Sequence, residues 1–209
     1  MILGGLFMGW PPSKSAVSEV YSGPRHGRRQ TRFTMTATRE GFIQVYTGDG
    51  KGKTTAALGL VLRALGQGLK PAFLQFMKAD PNWGEVVMLR RLGVPVVQCG
   101  LDHWVFKGEA TEEDLAAARA GLEQARALVQ SGEYDLVVLD ELVTATFFEL
   151  LSLDAVLAFL AMRPAAVELV MTGRGAPEEL IAAADLVTEM RPVKHYYDAG
   201  VLARPGIEY

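Results

Sequence analysis

The sequence predicts an α/β fold: a mainly parallel sheet of about six strands with helices on both faces. Three observations predict it. From residue 42 onward, short apolar runs bounded by turn residues recur along the chain. Segments of helical period stand between those runs, the alternation that gives parallel sheets covered on both sides. The 209-residue length, with 49% hydrophobic and 22% charged residues, suits one domain with a sizeable core.

The elements follow in order. Phe42-Ile43-Gln44-Val45-Tyr46 reads as a buried strand. Residues 53–66 read as a helix with Ala56, Leu60, Val61 and Ala64 on one face, ending near Gly66 and Gly68. Ala72–Met77 is a second strand, after Pro71, and residues 84–92 suggest a short helix. Val94–Gln98 is a third strand. Residues 111–131 form a long amphipathic helix. Thr111 caps it, Glu112, Glu113 and Asp114 suit the positive end of its dipole, and Leu115, Ala118, Leu122, Ala125 and Val129 make the apolar stripe. Gly132 ends it. Asp135–Asp140 is an apolar strand ending in acid, residues 152–162 a further helix stopped by Arg163-Pro164, and Val167–Thr172 and Asp185–Met190 complete the strands.

Residues 1–40 differ from the rest. They mix Gly, Pro, Ser and Arg without helical or strand period, and read as a poorly ordered leader to a single domain over 41–209. Met35 is a candidate start. An organellar transit peptide and a functional N-terminal arm are the alternatives. Residues 1–34 carry Lys14, Arg25, Arg28, Arg29 and Arg32 against Glu19, whereas the whole chain has a net charge of −3. That balance argues against a general nucleic-acid binder, which needs a basic surplus to neutralise phosphates. No apolar stretch reaches the ~18–20 residues needed to cross a bilayer, so no membrane partner is expected. One cysteine, Cys99, permits no intrachain disulfide and reads as a buried thiol. It fits a reducing compartment, and the expected location is cytoplasmic.

Two segments carry chemistry. Gly48-Asp49-Gly50-Lys51-Gly52-Lys53-Thr54-Thr55 lies between a strand and a helix. There, glycines let backbone N–H groups converge on phosphate oxygens, a lysine neutralises them and a hydroxyl can hold Mg²⁺. The spacing is irregular: counting back from Gly52-Lys53-Thr54, the usual first glycine falls on Thr47, and Gly48 comes one position late. The second segment, Leu136-Val137-Val138-Leu139-Asp140-Glu141, places two carboxylates at the C-terminal edge of the sheet, where ligands bind in such folds. One can hold Mg²⁺, directly or through water. The alternative is that Asp140 caps the next segment and Glu141 is solvated. Together the two segments predict a P-loop NTPase-like, RecA-like arrangement.

Further segments sharpen this: Gln75-Phe76-Met77-Lys78, then Trp83-Gly84-Glu85; Thr172-Gly173-Arg174-Gly175-Ala176-Pro177; Ala184–Met190; Lys194-His195, Asp198-Ala199-Gly200 and Gly206-Ile207-Glu208-Tyr209. With the phosphate loop and the acidic strand, they resemble the P-loop type of cob(I)alamin adenosyltransferases, the ATP:corrinoid adenosyltransferases, over residues 42–209. The resemblance implies that reduced cobalt attacks C5′ of ATP and triphosphate leaves, forming adenosylcobalamin. It implies ATP held in reversed orientation by Gly48 to Thr55, with Lys51 and Lys53 offsetting its charge. It implies Mg²⁺ at Thr54 and Glu141, with Asp140 behind or sharing it. It also implies Lys53, Glu141 and Trp104 as catalytic residues, a homodimer, and a flavoprotein-type reductant. Cob(I)alamin is itself a strong nucleophile, so no Ser, Cys or His base is needed. In the family, aromatic side chains help cobalt lose its lower ligand. Trp104 falls in the matching region, but Asp102 stands where relatives often carry an aromatic, and Phe106 follows instead. Core packing is the alternative for Trp104 and Phe106. Arg174 is a candidate phosphate contact, or else a loop-stabilising ion-pair partner. Trp83 and Glu85 are candidate ligand contacts with packing as the rival, and His195 reads as a loop hydrogen-bonding residue. Rival functions are a P-loop ATPase or kinase, a nucleic-acid module switched by ATP, and a corrinoid carrier.

Overall fold

The computed structural model of the chain describes residues 40–209. The leader, with Met35 and His26, lies outside the described residues. The elements are β1 (Ile43–Thr47), α1 (Lys53–Gly66), β2 (Pro71–Phe76), α2 (Gly84–Arg91), β3 (Val96–Cys99), α3 (Glu112–Gln130), β4 (Leu136–Asp140), α4 (Leu142–Phe147), α5 (Leu153–Ala161), β5 (Glu168–Thr172), α6 (Glu178–Ala183) and β6 (Leu186–Glu189), followed by a 3-10 turn at Tyr196–Ala199.

Six parallel strands form one sheet in the order β3-β2-β4-β5-β1-β6. The expected α/β architecture is present and is consistent with a P-loop NTPase-like fold. Side chains alternate across the sheet with period two, and each set of helices covers one parity. Phe73, Leu136, Val138 and Val170 face α1 and α2, against Ala57, Val61, Ala64 and Leu89. Leu74, Phe76, Val137, Leu139, Leu169 and Met171 face the other way, against Ala118, Leu122, Ala125 and Val129 of α3 and Val156 and Phe159 of α5. Each fully buried Leu, Val or Phe contributes about 1.5–3 kcal/mol of transfer free energy, so these two layers hold the sheet.

This parity decides where the chemistry lies. Gln75, Asp140 and Thr172 share the α1-facing parity with Phe73, Val138 and Val170, and all three are fully buried. They sit at the C-terminal ends of three neighbouring strands, where the apolar layer gives way to polar groups.

Several element readings shift. The buried face of α1 is Lys53, Ala57, Val61 and Ala64, not Ala56 and Leu60, because Lys53 folds into the loop and sets the phase of the helix. The second strand stops at Phe76, since Met77 takes a left-handed φ of 59°. β3 starts at Val96, two residues later than expected. The sequence reading missed α4 and α6; each has six residues, too few to display a full helical period. The Thr111 cap is present as a full capping box with Asp114, and Gly132 takes the left-handed φ of 73° that terminates α3.

Candidate functional site

The phosphate loop links β1 to α1. Gly48 has φ 94°, and a Cβ there would come 2.5 Å from the Met190 carbonyl oxygen; only glycine fits a backbone folded this tightly against the end of β6. Gly50 N–H donates to that same carbonyl at 2.7 Å. The Lys53 ammonium donates to the carbonyls of Gly48 (2.7 Å) and Gly50 (2.9 Å), so the loop wraps around it. Burial pushes the Lys53 pKa down, against the opposing pull of Glu141.

Thr47, the irregular position, is buried at the end of β1. Its carbonyl accepts from Met190 N–H at 2.8 Å and its hydroxyl from Ala176 N–H at 3.4 Å. A glycine could not make the second bond. The irregular spacing therefore ties the base of the loop to the Arg174 segment.

Asp140 ends β4 among donors from four other elements or loops. Its Oδ1 accepts from Thr54 (2.9 Å, α1) and Thr172 (2.7 Å, β5); its Oδ2 accepts from Lys78 (2.7 Å) and Gln75 (3.3 Å, β2). Burial alone would push this carboxyl up. The Lys78 ammonium, together with the hydrogen bonds from Lys78, Thr172 and Thr54, holds it below the ordinary carboxylate range. Gln75 extends the network: its amide also donates to Glu85 at 3.3 Å, and its carbonyl accepts from Gln98 of β3 at 3.1 Å.

Glu141 follows in the left-handed region at φ 61°, a costly conformation for a non-glycine residue. Its N–H donates to the Thr172 hydroxyl at 3.0 Å, and its carboxylate accepts from Thr144 at 2.5 Å. Unlike Asp140, it is partly open, with 24% of its side chain exposed. The expectation that Asp140 caps and Glu141 is merely solvated does not describe this arrangement.

These groups border one cleft of about 600 Å³, lined by Gly50 to Thr55, Lys78, Glu85, Glu141 and Arg174. α1 and α2 supply an apolar wall of Leu58, Leu62 and Met88. The C-terminal segment closes one side: the Lys51 ammonium donates to the Ile207 carbonyl at 2.7 Å and to Glu208 at 3.2 Å. Glu208 also accepts from Tyr196 and Arg204. Hydrogen bonds from Arg204 and Tyr196 hold its carboxyl far below the ordinary range. His195 lines the cleft, and its Nδ1 accepts from Tyr197 N–H at 3.1 Å, the loop role expected of it.

Of the predicted residues, Gly50, Lys51, Gly52, Lys53, Thr54, Thr55, Glu141 and Arg174 meet at the cleft. Gly48 and Asp49 support the loop from outside that lining, Asp49 being exposed. Asp140 lies beneath, fully buried. Trp104 and Phe106 are not core aromatics: they are 78% and 61% exposed. Their segment is fastened at two points. His103 meets Asp114 at 3.0 Å, and the Lys107 ammonium lies 4.0 Å over the Phe147 ring. Phe147 in turn packs against Gly175, where an added Cβ would meet its ring at 2.5 Å. The aromatic segment thus adjoins the Arg174 rim of the cleft.

The sequence reading missed Lys78, Gln75, Thr172 and Phe147 as site residues. Their signals were weak: polar residues at the ends of strands, and an aromatic in a helix too short to recognise. Cys99 is buried as expected, and burial pushes its thiol up to about 11. Among the described residues no helix is long and apolar enough to cross a membrane.

The donor set suits Mg²⁺. It offers hard oxygens, the Thr54 hydroxyl and the Asp140 and Glu141 carboxylates. Among the described residues no cluster of three or more His, Cys, Asp or Glu could enclose a metal alone. Mg²⁺ is commonly held by one or two carboxylates together with substrate phosphates, a mode that these oxygens fit.

Comparison with known proteins points the same way. The family described as ATP:corrinoid adenosyltransferase BtuR/CobO/CobP matches residues 39–209. The corrinoid adenosyltransferase of Pseudomonas aeruginosa is 41% identical over 179 residues, covering 85% of this chain and 88% of its own length. That of Escherichia coli K12 is 38% identical over 178 residues, covering 85% and 90%. The corrinoid adenosyltransferase CobA of Salmonella typhimurium is 37% identical over 182 residues, covering 87% and 92%.

Proposed function

Because the chain belongs to the ATP:corrinoid adenosyltransferase family, we propose a division of labour for its site. The chain is a corrinoid adenosyltransferase: it adenosylates corrinoids using ATP. One observation carries the assignment of roles: the phosphate loop, Glu141 and Arg174 border a single cleft, with Asp140 buried behind it.

In this reading Gly48 to Thr55 grip the triphosphate, and Lys51, Lys53 and Arg174 offset its charge. Thr54 and Glu141 hold Mg²⁺, and Asp140 orients Thr54 from behind, since its four acceptor positions are already engaged. When bound, Mg²⁺ would supply charge neutralisation for the leaving group. Trp104 and Phe106 form the corrinoid-facing side. The cobalt–carbon bond forms as the C5′–oxygen bond breaks, and the electron pair departs on the triphosphate. Stabilisation is therefore needed on a leaving triphosphate rather than on a phosphoryl group in flight.

No general base is required, because the nucleophile carries no proton to remove. The working unit is the domain over 41–209, as a cytoplasmic homodimer supplied with cob(I)alamin by a flavoprotein-type reductant. The test is an anaerobic assay with ATP, Mg²⁺ and reduced cobalamin, following the cobalt–carbon bond and the phosphate products. Triphosphate in step with adenosylcobalamin is expected. ADP or inorganic phosphate without alkylated corrinoid would overturn the reading.

A further inference from the structure

Lys78 has no part in the division of labour above, yet it occupies the centre of the acidic site. It follows Met77, whose left-handed φ of 59° turns the chain back at the end of β2. Its ammonium lies 2.7 Å from Asp140 Oδ2 and 3.9 Å from Glu141 Oε1. The Trp83 ring lies 5.4 Å from it. Only 15% of the side chain is exposed, and that part lines the cleft.

The ammonium therefore sits between the two carboxylates at the proposed metal site. Two carboxylates and one ammonium leave a net charge of −1. A divalent cation added to that set would meet a like charge close by, and like charges at such range in a partly buried site repel strongly. With the ammonium withdrawn, the two carboxylates and the divalent ion balance. A destination is at hand: the side chain lines the same cleft as Lys51, Lys53 and Arg174, where the triphosphate would present anionic oxygens. A lysine stem has four flexible carbons and can swing while its base stays packed.

We propose that Lys78 is the resident counter-ion of this site. Its ammonium neutralises Asp140 and Glu141 while no nucleotide is bound, and passes to the triphosphate as a divalent cation takes its place. The exchange makes cation binding conditional on nucleotide. It rests on the metal reading given above, with Thr54 and Glu141 as ligands and Asp140 behind them.

The experiment titrates Mn²⁺ into the full chain at neutral pH, with and without ATP and without corrinoid. Protein-bound Mn²⁺ is read from the enhanced relaxation of water protons. Parent protein is expected to bind Mn²⁺ weakly alone and well with ATP. Lys78→Met is expected to bind Mn²⁺ without nucleotide at least about tenfold more tightly than parent, and to lose most of the coupling to ATP. Lys78→Arg, which keeps the cation, is expected to resemble parent. If Lys78→Met fails to fold, Lys78→Gln keeps a donor for Asp140 and makes the same comparison. Equal or weaker nucleotide-free Mn²⁺ binding in the neutral variant, with parent still loading Mn²⁺ alongside ATP, would overturn the proposal and leave Lys78 as a structural ion-pair partner. No protein-bound Mn²⁺ in parent even with ATP would instead overturn the metal reading beneath it.

Discussion

The acidic edge of the sheet and the aromatic segment between β3 and α3 are built on opposite principles. At the acidic edge, Asp140, Gln75 and Thr172 are fully buried, and each is bonded to residues on other strands. In the aromatic segment, Trp104 and Phe106 stand mostly in solvent, and the chain is fastened through His103 and Lys107. The first region is organised before any ligand arrives, because every bond in it closes within the protein. The second leaves its apolar rings open to solvent. In the proposed function the first region faces the triphosphate and the second the corrinoid.

The largest effect should come from the buried side. Asp140→Ala leaves the Lys78 ammonium without its nearest carboxylate and removes the acceptor for Thr54 and Thr172. Breaking one partner of a buried pair typically costs about 3–5 kcal/mol, so urea denaturation of this variant is expected to show a loss of that order. A loss under about 1 kcal/mol would mean the network is not the rigid half of the comparison.

Next comes Lys53→Ala. Removing one preorganised group that stabilises developing charge costs on the order of 10²–10³ in rate, and that fall is expected in the initial rate of cobalt–carbon bond formation. Corrinoid binding should be unaltered if, as proposed, it falls to the other region. Parallel losses in ATP use and corrinoid binding would show that the two regions are not separable.

The two regions also differ in how far the sequence exposes them. The phosphate loop is legible because its groups lie within eight consecutive residues, Gly48 to Thr55. Asp140 and Glu141 are legible because an apolar strand leads into them. Of the partners of Asp140, Thr54 was placed beside it by the family resemblance, but Gln75, Lys78 and Thr172, at 65, 62 and 32 residues away in sequence, were not. Only the strand order brings them together, and parity along each strand aims them at one face. Six strands were readable from apolar runs, whereas α4 and α6 were too short to show a period. Trp104 was readable as a residue of interest, but whether it was core or surface was not. That depended on how His103 and Lys107 hold the segment, which no local pattern encodes.

Trp104→Ala probes the exposed region directly. An exposed side chain contributes little to the fold, so stability should stay within about 0.5 kcal/mol of parent. ATP affinity should not change. The corrinoid step should slow by about tenfold, the equivalent of ~1.4 kcal/mol. This is the reverse of the Asp140→Ala pattern, and a melting temperature lowered as far as in that variant would erase the contrast.

The smallest expected effect lies at the anchor of the aromatic segment. Asp114 completes the capping box of α3, accepting from the N–H (2.9 Å) and hydroxyl (2.8 Å) of Thr111. It also meets His103. Burial alone would raise its pKa, but the bonds from Thr111 and His103 lower it overall. A carboxylate lowered in the folded state binds fewer protons there than when unfolded. Its contribution is therefore fully present above the unfolded value of about 3.9. It is lost as pH falls through the lower folded value. Asp114→Asn removes the charge from the helix N-terminus, which is worth about 0.3–1 kcal/mol. The gap in stability between parent and variant should thus be open at neutral pH and close as pH falls below about 4. Thermal melts across that range measure the gap directly. A gap that persists unchanged into strong acid would mean that the neutral hydrogen bonds, rather than the charge, fasten the aromatic segment to α3.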